Sequence, residues 1–233
     1  MKLLFTGASG FLGSNVRPLL EGMYGVKTVG LSPKDDYTID IAKEIPVLRE
    51  RYDIVLHVAG KAHSVPKTEA ERQVFFDVNL QGTKNLCTAL ERRRVPRAFI
   101  FISTVAVYGC AYGENITEDH PLDGDTPYAM SKRLAEEYLQ KWCYEHNVIL
   151  GIIRPSLIAG PNPPGNLGAM IHGIRSGKYL SIAGGQARKS VLMVQDIAKL
   201  VSLLAEKGDG NNAYIDNLQE ANRVLVGEFG ATL

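Results

Sequence analysis

Cysteine is scarce: Cys87, Cys110 and Cys143 are the only three in 233 residues. They are far apart and odd in number, which fits neither a disulfide framework nor the close spacing of a zinc ribbon or redox motif. The expectation is reduced packing residues in a cytoplasmic protein. An excess of either charge is also missing. Lys and Arg number 26 against 25 Asp and Glu, for a net charge of +1. That balance gives no electrostatic reason to expect nucleic acid or a membrane surface as partner. No apolar run approaches the roughly 20 residues of a membrane-spanning helix. At the amino terminus Leu3-Leu4-Phe5 is halted by Thr6-Gly7, too soon for the core of a signal peptide. Repeats and low-complexity tracts are absent. With 45% hydrophobic and 22% charged residues, the composition is that of an ordinary globular protein. The length allows one large domain or one domain with a small lobe.

Short apolar runs recur at residues 3–5, 27–31, 54–58, 98–102 and 150–153. Each is apolar nearly throughout and bounded by turn residues, the pattern of strands buried on both faces of a parallel sheet. Helical periodicity occupies 11–23, 71–93 and 127–147 between them. Alternating strand and helix predicts a doubly wound α/β sheet, a Rossmann fold. Pro18 falls inside the first helix and should bend it. After Arg154-Pro155 the texture changes, with Gly and Pro clustered in 159–168 and four glycines in 173–185. The expected division is a dinucleotide-binding domain over 1–155 and a small, shortened substrate-binding lobe over 156–233.

Thr6-Gly7-Ala8-Ser9-Gly10-Phe11-Leu12-Gly13 follows the first strand directly. Gly7 permits a tight turn, Gly10 lets backbone amides approach a pyrophosphate, and Gly13 allows close packing of helix on strand. The helix start at Phe11 and Leu12 then offers free N–H groups and a partial positive charge to phosphates. An acidic residue at the end of the second strand would hold the adenosine ribose. Ser32-Pro33-Lys34 stands there instead. Ser32 and Lys34 suit a 2′-phosphate, or Lys34 is a solvated loop lysine; Asp35 and Asp36 are close enough to complicate either view. The cofactor is therefore NAD or NADP.

Tyr128-Ala129-Met130-Ser131-Lys132 opens a predicted helix just after Pro127. Positions i and i+4 share a helical face. An ammonium there favours phenolate, so the tyrosine can serve as acid or base toward a hydroxyl or carbonyl. Upstream, Ser103-Thr104 ends a buried strand, where α/β folds place ligands.

These motifs together resemble the extended short-chain dehydrogenases/reductases, specifically the nucleotide-sugar epimerase/dehydratase group. The resemblance covers about residues 1–216. It rests on the TGxxGxxG loop, the Tyr-x-x-x-Lys pair, the Ser-Thr-x-x-Val-Tyr-Gly strand end, and Arg154-Pro155 followed by Gly160-Pro161. It implies a Thr104, Tyr128, Lys132 triad, in which Lys132 also binds the nicotinamide ribose. It further implies adenine contacts from Asp40 and Ile41, a loop beneath the cofactor at Val58, Ala59 and Gly60, and support from Asn79. Pro155 to Ile158 would lie beside the nicotinamide amide. Lys61, Asn166, Arg188 and Lys189 are the residues expected to meet a sugar-diphosphate substrate. Outside that resemblance, His57 reads as a satisfied core histidine, and no histidine is given a metal role.

Three departures narrow the expectation. Dehydratase members carry Asp-Glu just after the triad threonine, whereas Val105-Ala106 here cannot transfer protons. Lys189 stands where the family grips the diphosphate with arginine, and the family runs on well past this chain. The resemblance thus implies an NAD(P)-dependent nucleotide-sugar epimerase. A 4-keto-sugar reductase is the alternative, and a non-catalytic dinucleotide sensor follows behind. It also implies a homodimer, paired through helices 71–93 and 127–147 as a four-helix bundle.

Overall fold

A computed structural model describes residues 1–62, 64–110, 113, 115–178, 190–206 and 213–216. Seven parallel strands form the main sheet, in the order β3-β2-β1-β4-β5-β6-β9. They are β1 (Lys2–Thr6), β2 (Gly25–Gly30), β3 (Tyr37–Thr38), β4 (Ile54–His57), β5 (Ala98–Ile102), β6 (Ile149–Ile153) and β9 (Ala213–Asp216). Every residue of β4, β5 and β6 is buried, as expected of strands covered on both faces. The strand order reverses between β1 and β4. In open α/β sheets that reversal leaves a crevice at the carboxyl ends of the strands.

Helices α1 (Phe11–Glu21) and α6 (Val194–Glu206) cover one face. Val16 and Leu20 meet Ile197, Val201 and Leu204 over Leu3, Phe5 and Ile100. On the other face lie α3 (Gly82–Arg93) and α4 (Pro127–Glu145), with Leu86, Leu90, Leu139 and Trp142 packed on Leu4, Val55, Phe99 and Ile152. Helix α1 runs through Pro18 without interruption. Past residue 155 the chain first leaves the sheet. Strands β7 (Leu157–Ala159) and β8 (Val191–Met193) pair with each other, and α5 (Gly165–Arg175) lies between them in sequence. It then returns: α6 packs on α1, and β9 pairs with β6.

One expected element is different. The helix read over 71–93 is two helices, α2 (Glu69–Phe76) and α3, joined by a π-helical turn at Asp77–Gln81. Thr68 caps α2 by accepting the Glu71 N–H. The π turn turns Asn79 fully inward, and the Thr83 hydroxyl donates back to the Asn79 carbonyl at 2.6 Å. Such turns inside α-helices are frequent at functional sites.

Candidate active site

The phosphate loop is shaped by its own packing at two glycines. Gly7 has φ +73°, and a Cβ there would stand 2.6 Å from the Ala59 nitrogen. At Gly13 a Cβ would stand 2.2 Å from the Gly7 carbonyl oxygen. Gly10 is different: it is exposed, and the nearest atom to a Cβ would be the Gly7 oxygen at 3.4 Å. The protein's own packing leaves that side of Gly10 open. Gly10 is also the N-cap of α1, with extended backbone, no side-chain cap and no acidic residue in the first turn. The free N–H groups at Phe11 and Leu12 and the positive end of the helix dipole therefore face that space uncompensated. An open cradle beside an uncapped helix start fits a pyrophosphate, so the residues present suit a dinucleotide.

Strands β4, β5 and β6 bring the remaining groups to the same edge. Val58 donates its N–H to the Thr6 carbonyl at 3.2 Å, and Ala59 donates to Thr6 Oγ1 at 3.1 Å. Asn79 grips the next residues from the π turn. Its Oδ1 accepts the Lys61 N–H at 2.8 Å, while Nδ2 donates to the Lys61 carbonyl at 3.1 Å and to Ser131 Oγ at 2.9 Å. Ser131 in turn donates to the Tyr128 carbonyl at 2.8 Å. A single amide thus ties the loop after β4 to the start of α4.

Thr126 caps α4 by accepting the Ala129 N–H, and Pro127 takes the first helical position. Tyr128 is half-buried, with its ring 6.3 Å from that of Phe75. Thr104 lies two residues past the end of β5 and caps the 3₁₀ turn at Val105–Tyr108, accepting the Ala106 N–H at 3.2 Å. Its hydroxyl is the group that lowers the Tyr128 pKa, against the burial that raises it. Lys132 is 3% exposed; its Nζ donates to the Ile102 carbonyl at 2.8 Å and lies 4.5 Å from the Phe101 ring centre. Gly60 is open enough for that approach, since a Cβ there would stand 3.1 Å from Lys132 Nζ. Thr104, Tyr128 and Lys132 therefore converge beside the open phosphate cradle.

The electrostatics correct one expectation. A lysine at i+4 was expected to favour the Tyr128 phenolate. Instead burial raises the Tyr128 pKa, and the opposing influence is the Thr104 hydroxyl. Lys132 Nζ is engaged with the Ile102 carbonyl on the strand side. Burial also pushes Lys132 down to about 8, with the Glu136 carboxylate resisting the shift. In the free protein Tyr128 is a neutral hydroxyl beside a charged lysine at neutral pH.

The other expected positions are spread around this centre. Asp40 accepts the Ala42 N–H at 3.1 Å, and the carbonyl of buried Ile41 accepts Asn85 Nδ2 at 2.7 Å. Pro155 is buried, and its carbonyl accepts the Val105 N–H at 3.2 Å; Ile158 lies on β7. Asn166 belongs to α5. Arg188 and Lys189 lie outside the described residues. Lys34 is exposed, and its N–H donates to Ser32 Oγ at 3.2 Å. Sequence reasoning missed the support beneath the site. Arg154 and Glu136, 2% and 0% exposed, form a bidentate pair with the closest contact at 2.6 Å. Arg154 Nη1 also donates to the Tyr108 hydroxyl at 2.7 Å, which holds the turn behind Thr104. The available signal was spacing: Tyr128, Lys132 and Glu136 recur every four residues on one helical face.

The family model for the NAD dependent epimerase/dehydratase family matches residues 3–215. Over 207 residues the chain is 30% identical to the N-acetyl-alpha-D-glucosaminyl-diphospho-ditrans,octacis-undecaprenol 4-epimerase of Escherichia coli O157:H7. That alignment covers 85% of this chain and 61% of the relative, so this chain spans less than two thirds of that protein. The UDP-glucose 4-epimerase of Vibrio cholerae is 28% identical over 244 residues, covering 96% of this chain and 69% of the relative. Among solved structures, the UDP-glucuronic acid 4-epimerase of Bacillus cereus, in complex with UDP-glucuronic acid and NAD, superposes with a TM-score of 0.74 at 21% identity. It covers 92% of this chain and 77% of its own, and it supports the fold. Among the described residues, no helix is long and apolar enough to cross a membrane.

Proposed function

The chain belongs to the NAD dependent epimerase/dehydratase family, and from that premise we propose that it epimerises a ring carbon of a sugar carried on a diphosphate. The carrier is a nucleotide or a polyprenol, the two kinds named for the similar proteins of Vibrio cholerae and Escherichia coli. The observation that carries this reading is the convergence of Thr104, Tyr128 and Lys132 beside the uncapped start of α1. The positions after Thr104 support epimerisation over dehydration. Val105 and Ala106 form the 3₁₀ turn and carry no group able to move a proton.

A nicotinamide dinucleotide bound in the cradle supplies the hydride acceptor and donor. Gly10, with the N–H groups of Phe11 and Leu12, holds its phosphates, on a loop whose shape Gly7 and Gly13 set. Val58, Ala59, Gly60, Asn79, Pro155 and Ile158 form its floor. Tyr128 takes the proton from a sugar hydroxyl as that carbon becomes a ketone, and returns it when the alcohol re-forms. Thr104 donates a hydrogen bond to the Tyr128 oxygen and so stabilises the phenolate that must form before the proton is taken and that re-forms once it is returned. Lys132 contributes a nearby positive charge to the same end. Lys61, Asn166, Arg188 and Lys189 belong to the substrate side of this reading. The homodimer belongs to it as well, through the elements that include α2 and α4. Val74 on α2 and Tyr144 on α4 are 39% and 71% exposed.

The test pairs Tyr128→Phe with the wild type, given added NAD and a panel of diphosphate-linked sugars. The products are read by NMR. An epimerase interconverts two sugars with no net NADH formed, whereas a reductase consumes reduced cofactor in step with product. The variant should bind dinucleotide normally and lose at least about 10²-fold in turnover, the scale of a lost general acid/base. Turnover like that of the wild type would sink the reading.

A further inference from the structure

The near-zero net charge hides a segregation. From His146 to Gln195 the sequence holds no Asp or Glu, where the chain's average would put about five. The same stretch holds Arg154, Arg175, Lys178, Arg188 and Lys189. Arg154 is committed to Glu136 inside the core. The other four cations meet no carboxylate from their own stretch.

This stretch also carries a helix whose apolar face seals no core. In α5, Leu167, Met170, Ile171 and Ile174 recur at the spacing of one helical face. Such a stripe ordinarily covers a sheet or another helix: α6, of similar length, buries six side chains. None of the described side chains of α5 is buried. Leu167 and Ile171 are half-buried, while Met170 and Ile174 are 37% and 56% exposed. Leu157 on β7 is exposed as well. Arg175 flanks the stripe in the last turn, and Lys178 follows just past the helix end. Both are exposed, and neither side chain has a hydrogen-bond or ion-pair partner among the described residues. A helix with an uncovered apolar stripe, flanking cations and no acid suits the interfacial layer of an anionic bilayer.

The location gives that contact a use. Gly160 and Pro161, just ahead of α5, lie against the start of α1. A Cβ at Gly160 would stand 3.6 Å from the Phe11 ring, and the Pro161 carbonyl accepts Asn15 Nδ2 at 3.3 Å. Helix α5 therefore leaves the fold from the sheet edge that carries the open cradle.

We propose that α5 docks the protein on an anionic lipid surface, with Met170 and Ile174 entering the headgroup layer and Arg175 and Lys178 meeting lipid phosphates. The docking stands without the epimerase reading. Where that reading holds, docking favours the polyprenol over the nucleotide as sugar carrier, because a polyprenol diphosphate lies at the same surface.

Sedimentation of the full chain with lipid vesicles tests this without any turnover. At about 0.1 M salt, wild type should pellet with phosphatidylcholine vesicles containing about one-third phosphatidylglycerol, and stay in solution with phosphatidylcholine alone. Each cation near the surface contributes about fivefold in affinity, so Arg175→Ala with Lys178→Ala should weaken binding about twentyfold. Met170→Ser with Ile174→Ser should weaken it by about tenfold. Lys43→Ala, at an exposed lysine past β3, should leave it within about twofold. If the serine pair fails to melt cooperatively, the alanine pair, which changes only exposed charges, decides alone. Failure of folded wild type to pellet with the anionic vesicles overturns the proposal, as does equal pelleting with neutral ones. Undiminished binding in a folded double variant overturns the assignment to α5. Light scattering covers the remaining occupant: a dimer lost in either double variant while vesicle binding persists makes this face a contact between copies of the chain, and the proposal falls.

Discussion

Lowering the pH should destabilise this protein through one histidine, and His57→Gln isolates the effect. His57 is fully buried at the end of β4, between Thr6 and Thr83. The Thr83 hydroxyl proton goes to the Asn79 carbonyl at 2.6 Å, so Thr83 Oγ1 must accept from His57 Nε2–H at 2.9 Å. Nδ1 is then the acceptor, and receives the Thr6 hydroxyl at 2.6 Å. Adding a proton at Nδ1 sets two donors against each other, in a fully buried site near the Lys132 charge. Burial first, and Lys132 second, push the His57 pKa from 6.5 down to about 3. The folded pKa lies below the unfolded one, so the unfolded chain binds the extra proton first. Stability attributable to this residue is intact above pH 6.5 and is lost as the pH falls toward 3. One proton corresponds to about 1.4 kcal/mol per pH unit, or roughly 2–3 kcal/mol between pH 6.5 and 4.5. Urea unfolding of wild type and His57→Gln at constant ionic strength measures it. The variant should be less stable at pH 7.5, having lost ring contacts with Phe99 and Phe101, but its loss on acidification should be smaller by that amount. Carboxylates such as Asp36, whose pKa is lowered, respond alike in both proteins and cancel. Parallel pH profiles would refute the assignment of a buried, neutral, Nε2-protonated ring.

Two further outcomes follow from buried contacts. Arg154→Met strands the Glu136 carboxylate, which is 0% exposed, and should cost about 3–5 kcal/mol in denaturant unfolding, while Arg154→Met with Glu136→Leu should recover at least half of it. Gly13→Ala drives a methyl onto the Gly7 carbonyl and should lower stability by about 1–3 kcal/mol or more in a thermal or chemical melt. Gly10→Val should melt like the wild type and lose dinucleotide affinity, because the space beside it is open toward ligand alone.

The strands were legible where burial on both faces leaves an unbroken apolar run, as in Ala98–Ile102, whose ends were read correctly. Strands β3, β7 and β8, of two or three residues each, were not, because so short a run carries no period. Helical periodicity over 71–93 identified the segment but not its break. A π turn adds one residue to a turn, which shifts the apolar stripe too little for sequence pattern to reveal it. The polar Asn79 in an otherwise helical stretch was the trace it left. Nor could the sequence show that the chain returns to the sheet after residue 155. That return depends on α6 packing against α1, which lies nearly the whole chain away.

The candidate site divides the same way, between local motifs and contacts made across the fold. The glycine loop and the Tyr128–Lys132 pair are local, and were found by spacing. The charge balance beneath them is not local. Tyr128, Lys132 and Glu136 stand on one face of α4, four residues apart, and Arg154 reaches Glu136 from the end of β6. Glu136 and Arg154 neutralise each other in a bidentate pair. Lys132 Nζ donates to a backbone carbonyl and makes no ion pair with a carboxylate among the described residues. Of the three charges buried along this line, one positive charge therefore remains uncompensated, and it lies next to Tyr128 and to the open side of Gly60. Burial weakens that charge, pulling Lys132 to about 8, and an anionic partner would restore it. A site that keeps a cation buried and unpaired beside a neutral phenol is suited to an oxyanion formed on demand, at Tyr128 itself, rather than to one held permanently.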